Sequence, residues 1–185
     1  MIKILAFGNS LTEGYGLRRD KSFASRLEMH LNKQGYSVKV INAGVSGDTT
    51  FGGLRRIDFY LKELPDIVVL ELGINDGFLE YPIEEIYLNL DKMIEKAKGI
   101  GAKILLIGTK IPEGLFEIDK EYCENFEKIF IDLAKKHNIP LVHDFLGGII
   151  GNHSLTLQDM VHPNEQGVEI MVEKVIPEII KLLKN

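Results

Sequence analysis

Short apolar runs alternate with longer amphipathic stretches along this chain. Residues 2–7 form an apolar run that stops at Gly8, the pattern of a parallel strand buried on both faces. A second run, 37–43, alternates, is rich in β-branched residues and ends at Gly44. The third, 66–72, follows Pro65 and holds the strongest strand signal, Ile67-Val68-Val69-Leu70. Runs 103–108 and 139–143 complete five predicted strands. Between them lie stretches of helical spacing over 22–32, 50–61, 83–97 and 118–133. A last helix is expected after Pro163, with Asn164 as its cap and Pro177 as the point for a kink.

Strict alternation of strand and helix predicts a parallel sheet covered on both faces, a three-layer α/β/α sandwich. The chain shows no internal repeat and no linker, and 185 residues suit a single domain spanning 1–185. Strand order is not readable from periodicity. In such sheets, however, ligands sit beyond the carboxyl ends of the strands. Gly8-Asn9-Ser10, Gly44 and Gly73-Ile74-Asn75 follow the first three strands and therefore share one rim.

Composition narrows the function classes. The apolar fraction of 45% with 26% charged residues is that of an ordinary soluble globular protein. A net charge of −5 argues against nucleic acid as a partner, which calls for a clustered basic surface. The adjacent arginines Arg18-Arg19 and Arg55-Arg56 are expected on solvated faces. With Cys123 alone, no intrachain disulfide can form. No apolar run approaches the ~20 residues of a membrane span. No charged-apolar-small leader precedes the first strand, so the expectation is a cytoplasmic protein.

Candidate chemistry sits on the shared rim. A serine hydroxyl needs a base to become a nucleophile. Ser10 follows a strand and precedes a loop containing Gly14 and Gly16. The segment is not the G-x-S-x-G elbow, since Thr12 replaces the second glycine. A phosphate-binding loop is also disfavoured, because Gly14-Tyr15-Gly16 leads to Arg19 without a Walker lysine. His162 is the best base candidate, with Asp159 three residues earlier to orient its imidazole. The bland alternative is a turn-capping Asp159 and a surface His162.

His143-Asp144, on the same rim, competes for the base role, His153 less so, while His30 and His137 read as solvated helix residues. Asn75 carries an amide that can donate to an oxyanion, and Gly44 and Ser10 can add backbone N–H groups. Asp76 reads as structural. Asp159, His162, His143 and Asp144 could in principle hold a metal, but no histidine pair has ligand spacing.

Gly8-Asn9-Ser10-Leu11, Gly44, Gly73-Ile74-Asn75-Asp76 and Asp159 to Pro163 together resemble, in order, the signature blocks of the SGNH or GDSL hydrolase superfamily. The phrases Ser46-Gly47-Asp48-Thr49-Thr50 and Glu71-Leu72-Gly73-Ile74-Asn75-Asp76-Gly77 are similar to its compact bacterial arylesterase and thioesterase–lysophospholipase branch. The resemblance implies a flavodoxin-like fold, no metal or cofactor, and a Ser10-His162-Asp159 triad. It further implies an oxyanion hole of Ser10, Gly44 and Asn75. The aspartate usual before the serine is Asn9 here, expected to hold the loop through hydrogen bonds.

The expected substrate is a small ester or thioester with a short to medium acyl chain, an aryl ester or a lysophospholipid. Leu11, Gly77, Phe78 and Pro112, with the rest of loop 111–116, are expected to wall its acyl groove. A carbohydrate O-acetylesterase, an acyltransferase and a non-catalytic flavodoxin-like binding module are the competing readings.

Overall fold

The five apolar runs form one parallel sheet, ordered β2-β1-β3-β4-β5, in the computed structural model, which describes residues 1–112, 114 and 117–184. The strands are β1 (Ile2–Gly8), β2 (Val38–Gly44), β3 (Ile67–Glu71), β4 (Lys103–Ile107) and β5 (Leu141–Val142). Every residue of β3 is buried, as its unbroken apolar run requires. Edge strand β2 alternates, with Val38 and Val40 buried and Lys39 exposed. This order is the flavodoxin-like one, and the chain reverses direction across the sheet between β1 and β3. Gly8, at the end of β1, pairs with Gly44 on one side and Glu71 on the other. The register thus brings three loops together at one crevice.

The helices are α1 (Ser10–Glu13), α2 (Phe23–Lys33), α3 (Thr50–Leu61), α4 (Ile74–Phe78), α5 (Ile83–Gly99), α6 (Lys120–His137) and α7 (Glu165–Lys184). α2 packs against α7, while α5 packs against both α3 and α6. Phe7, Phe23, Phe126, Phe130 and Phe145 are fully buried in the core. Burial of each such side chain stabilises by about 1.5–3 kcal/mol. Asn164 caps α7 as expected, accepting from the N–H groups of Gln166 (2.9 Å) and Gly167 (3.0 Å). α7 continues through Pro177. No helix of the described residues is long and apolar enough to cross a membrane.

Several local expectations are corrected. β5 spans only Leu141–Val142, and the helical turns α1 and α4 open where loops were expected. Arg56 is not solvated, unlike Arg18 and Arg19: its side chain is 19% exposed and stacks 4.0 Å from the Phe7 ring centroid. Its guanidinium bonds Asp48 (2.6 Å) and the carbonyls of Ala43 and Gly8 (2.8 Å each), tying together β1, β2 and the loop after β2.

His137 is also covered, its side chain 8% exposed and 2.6 Å from Asp91 of α5. Burial pushes the Asp91 carboxyl up, but its bonds from Lys136 and His137 outweigh this and hold it below the usual range. His30 pairs with Glu169 across α2 and α7 at 2.7 Å. The expectations placed on Glu113, Leu115 and Phe116 lie outside the described residues.

Candidate active site

Ser10 owes its position to a tight exit from β1. A Cβ at Gly8 would sit inside the Thr12 hydroxyl and the Glu71 carboxylate, so only glycine lets the chain turn this closely. Asn9 then caps α1, its Oδ1 accepting from Leu11 N–H at 2.9 Å. Ser10 opens that helix and is buried, 8% exposed. As the first helical residue it has a backbone N–H without an intrahelical acceptor.

The far end of the chain meets it. Asp159 Oδ1 accepts from the N–H groups of Val161 and His162, both at 2.9 Å, folding the segment into a tight turn. Asp159 Oδ2 lies 2.6 Å from His162 Nδ1, and His162 Nε2 lies 3.2 Å from Ser10 Oγ. These partners select the tautomer with Nδ1–H donating to the carboxylate and Nε2 accepting from the hydroxyl. Burial raises the Asp159 carboxyl, yet the bonds from Val161 N–H and from the side chain and N–H of His162 outweigh it and hold it below its ordinary range. The charge needed beside the imidazole is therefore present. Tyr15, half exposed, lies over His162 with ring centroids 4.4 Å apart, a contact the sequence reading missed.

His143 is not brought to Ser10. It pairs with Glu127 at 3.2 Å, and His153 is exposed. Asp76 is structural, as expected, taking the Thr50 hydroxyl at 2.6 Å and the Thr50 N–H. Burial pushes its carboxyl up despite those bonds.

Asn75 lies in the first turn of α4, reached through Gly73 at φ +121°, a left-handed conformation that favours glycine. One Nδ2 hydrogen goes to Asp48 O at 2.8 Å, anchoring the amide and leaving the other for a ligand. Gly44 is the clear correction. Its N–H is donated to Asn42 Oδ1 at 3.0 Å, and it remains in the ladder opposite Gly8. That donor is already used.

In the loop that follows, the N–H groups of Val45, Ser46, Asp48, Thr49 and Thr50 bond Gly8 O, Glu13, Val45 O, Asp48 Oδ1 and Asp76. The N–H of Gly47 donates to no described residue. Gly47 is the third residue of the Val45–Asp48 turn, at φ +78°, as a type II turn demands.

Ser10, Asn75, Asp159 and His162 line one cavity of about 270 Å³ with Leu11, Phe78, Ile74, Leu146, Ile150 and Val161. Leu11 and Phe78, expected as groove walls, line this cavity, together with Ile74, Leu146, Ile150 and Val161, which were not expected there. Pro112 lines instead a neighbouring cavity of about 610 Å³, which shares Leu146 and Ile150 as a wall. Gly77 is corrected too: it is buried, where a Cβ would meet Phe126 at 3.0 Å and Ile111 at 3.1 Å, and it lines neither cavity.

A family model described as the GDSL-like Lipase/Acylhydrolase family matches residues 6–170. The chain belongs to this GDSL-like hydrolase family. It is 35% identical over 182 residues to an arylesterase of Vibrio mimicus, covering 98% of this chain and 90% of that protein. It is 27% identical over 183 residues to "Thioesterase 1/protease 1/lysophospholipase L1" of Escherichia coli strain K12, covering 98% and 85%. Among solved structures, a psychrotrophic esterase EstA from Pseudoalteromonas sp., inhibited by monoethylphosphonate, superposes with a TM-score of 0.90 at 28% identity, covering 100% of both chains.

The protein is thus a GDSL-type esterase/thioesterase, a carboxylic ester hydrolase. Asn9 stands where the family's name, GDSL, has an aspartate.

Proposed function

We propose that this single catalytic domain, 1–185, hydrolyses small esters and thioesters of short to medium acyl chain through an acyl-enzyme on Ser10. His162 Nε2 takes the hydroxyl proton as Oγ bonds to the acyl carbon, and Asp159 balances the imidazolium that forms. The carbonyl oxygen becomes an oxyanion held by Ser10 N–H, the Asn75 amide and Gly47 N–H. His162 then returns the proton to the departing alkoxide or thiolate, and later takes one from the water that releases the acid.

The observation that carries this reading is the Asp159–His162–Ser10 relay, built from both ends of the chain, at the mouth of a cavity with an apolar wall. That wall, of Leu11, Ile74, Phe78, Leu146, Ile150 and Val161, suits an acyl chain better than a sugar. Its volume falls near the small end of ligand pockets, roughly 300–1,000 Å³.

A graded panel of p-nitrophenyl and acyl-CoA substrates tests the substrate class. Expected is a maximum of kcat/KM at short to medium chain length. A profile still rising with the longest chains, or turnover confined to acetylated sugars, would refute the acyl-pocket assignment. The Asn75→Ala variant tests the oxyanion donor. It is expected to lose roughly 10²–10³ in kcat with little change in KM. An unchanged kcat would remove Asn75 from the mechanism.

A further inference from the structure

Beneath Ser10 lies a carboxyl group that this reaction does not use. Glu71, the last residue of β3, is 1% exposed. Its Oε1 accepts from Asn9 Nδ2 at 2.9 Å, and its Oε2 accepts from Asn9 N–H at 3.2 Å and from the Thr12 hydroxyl at 2.9 Å. Asn9 Oδ1 in turn accepts from Leu11 N–H. Residues on both sides of Ser10 are thus fastened to one side chain from the neighbouring strand.

The charged groups on the surrounding elements are engaged elsewhere. Glu13 holds Ser46, Arg56 holds Asp48, Asp76 holds Thr50, and His162 holds Asp159. Among the described residues no cation bonds Glu71. Burial pushes its carboxyl up to about 8, against the opposing pull of the Asn9 and Thr12 donors.

We propose that Glu71 is the positioning residue of the nucleophile turn and that Asn9 is matched to it as the donor partner, so that the pair needs no shared proton. The inference rests on Ser10 as nucleophile. An aspartate at position 9 still caps α1, but it places a second carboxyl against the first. Two carboxyls at hydrogen-bond distance hold one proton tightly and repel once it is lost. With Asn9, the single Glu71 proton can sit on Oε2 and donate to the Thr12 oxygen, the one partner able to reverse polarity. Its loss at alkaline pH turns the Thr12 hydroxyl back to a donor and leaves three donors facing the anion, so the turn keeps its shape.

A glutamine at position 71 presents an amide N–H either to Asn9 N–H or to Asn9 Nδ2. Turning the Asn9 amide to relieve the second conflict aims its NH₂ at Leu11 N–H. A donor then faces a donor in every arrangement. The double exchange N9D/E71Q resolves this. The introduced aspartate accepts from the glutamine amide and from Leu11 N–H, while the glutamine carbonyl accepts from the backbone N–H of position 9 and from the Thr12 hydroxyl.

The test compares N9D, E71Q and N9D/E71Q with the natural enzyme by kcat, KM and circular dichroism from about pH 6.5 to about pH 9.5. N9D is expected to lose at least about tenfold in kcat relative to the natural enzyme as pH rises through this range, with KM and fold unchanged. E71Q should be slower by about 10–100-fold at every pH. The double variant should recover to within about threefold, without the alkaline fall.

An N9D profile parallel to the natural one overturns the proposal, as does a double variant as slow as E71Q. If E71Q does not fold, the N9D profile decides alone, its alkaline fall supporting the proposal and its absence overturning it. Ser10→Ala, assayed beside them, tests the nucleophile separately. If it is inactive while the exchange fails to rescue, the hydrolase reading stands and only the role of Glu71 falls.

Discussion

Alanine at position 10 is expected to reduce ester and thioester hydrolysis by roughly 10⁴–10⁶-fold while leaving the fold in place. Both halves of this expectation come from what Ser10 touches. Its hydroxyl bonds His162 Nε2, and the structural work of the residue is done by its backbone carbonyl, which accepts from Gly14 N–H (3.0 Å) and Tyr15 N–H (3.1 Å). Alanine keeps those bonds and removes one side-chain hydrogen bond, a change of about 1 kcal/mol in stability. The melting temperature should therefore stay near that of the parent protein.

Covalent labelling by a fluorophosphonate should vanish along with turnover. Retention of more than about a hundredth of the parent kcat would show that another group attacks the carbonyl. Labelling of the natural protein also separates the hydrolase from a flavodoxin-like binding module, which has no activated hydroxyl to label.

Much of the scaffold around this residue was visible in one dimension because parallel strands are buried on both faces. β3 has no exposed residue, so Ile67 to Leu70 reads as an unbroken apolar run. The longer helices were visible through stripes such as Leu90, Ile94 and Ala97, all buried against the sheet or neighbouring helices. α1 and α4 were not, because four and five residues are too few to display a helical repeat. Both open at the site, where strand ends must present side chains to a cleft.

Arg56 was misread for a different reason. Its three acceptors come from Gly8, Ala43 and Asp48, which meet only after the sheet assembles. The solvated reading of His137 failed similarly, since its partner Asp91 sits on another helix.

The glycine proposed as an oxyanion donor shows how position along a strand can mislead. Gly44 ends β2 and so looked like the exposed backbone of the rim. A residue still in the ladder has little freedom to aim its N–H at a ligand, and Asn42 has captured that donor. Gly47 stands three residues further on, in a turn whose other N–H groups are satisfied internally. The signal was present in Ser46-Gly47-Asp48, because a glycine at the third position of a tight turn can adopt positive φ. Asn75 and Gly47 also share an anchor, since the Asn75 amide bonds the carbonyl of Asp48. A shift in that turn would move both proposed donors together.

Asp159→Asn is the sharper test of the relay, and about a 10⁴-fold loss in kcat is expected. The reason lies in the division of labour between the two carboxylate oxygens. Oδ1 accepts from two backbone N–H groups, of Val161 and His162, which cannot reverse their polarity. An asparagine must therefore leave its oxygen at Oδ1 and present its NH₂ to His162 Nδ1. To accept that hydrogen bond, Nδ1 has to be unprotonated, which moves the ring proton to Nε2.

Nε2–H then faces Ser10 Oγ as a donor, and no base remains to take the serine proton. The turn itself keeps both backbone bonds, so stability should change little while turnover collapses. Nitrogen chemical shifts of the His162 ring should report the exchanged tautomer in the variant. An Asp159→Asn enzyme within tenfold of the parent, or one with an unaltered tautomer, would show that the serine proton leaves by another route.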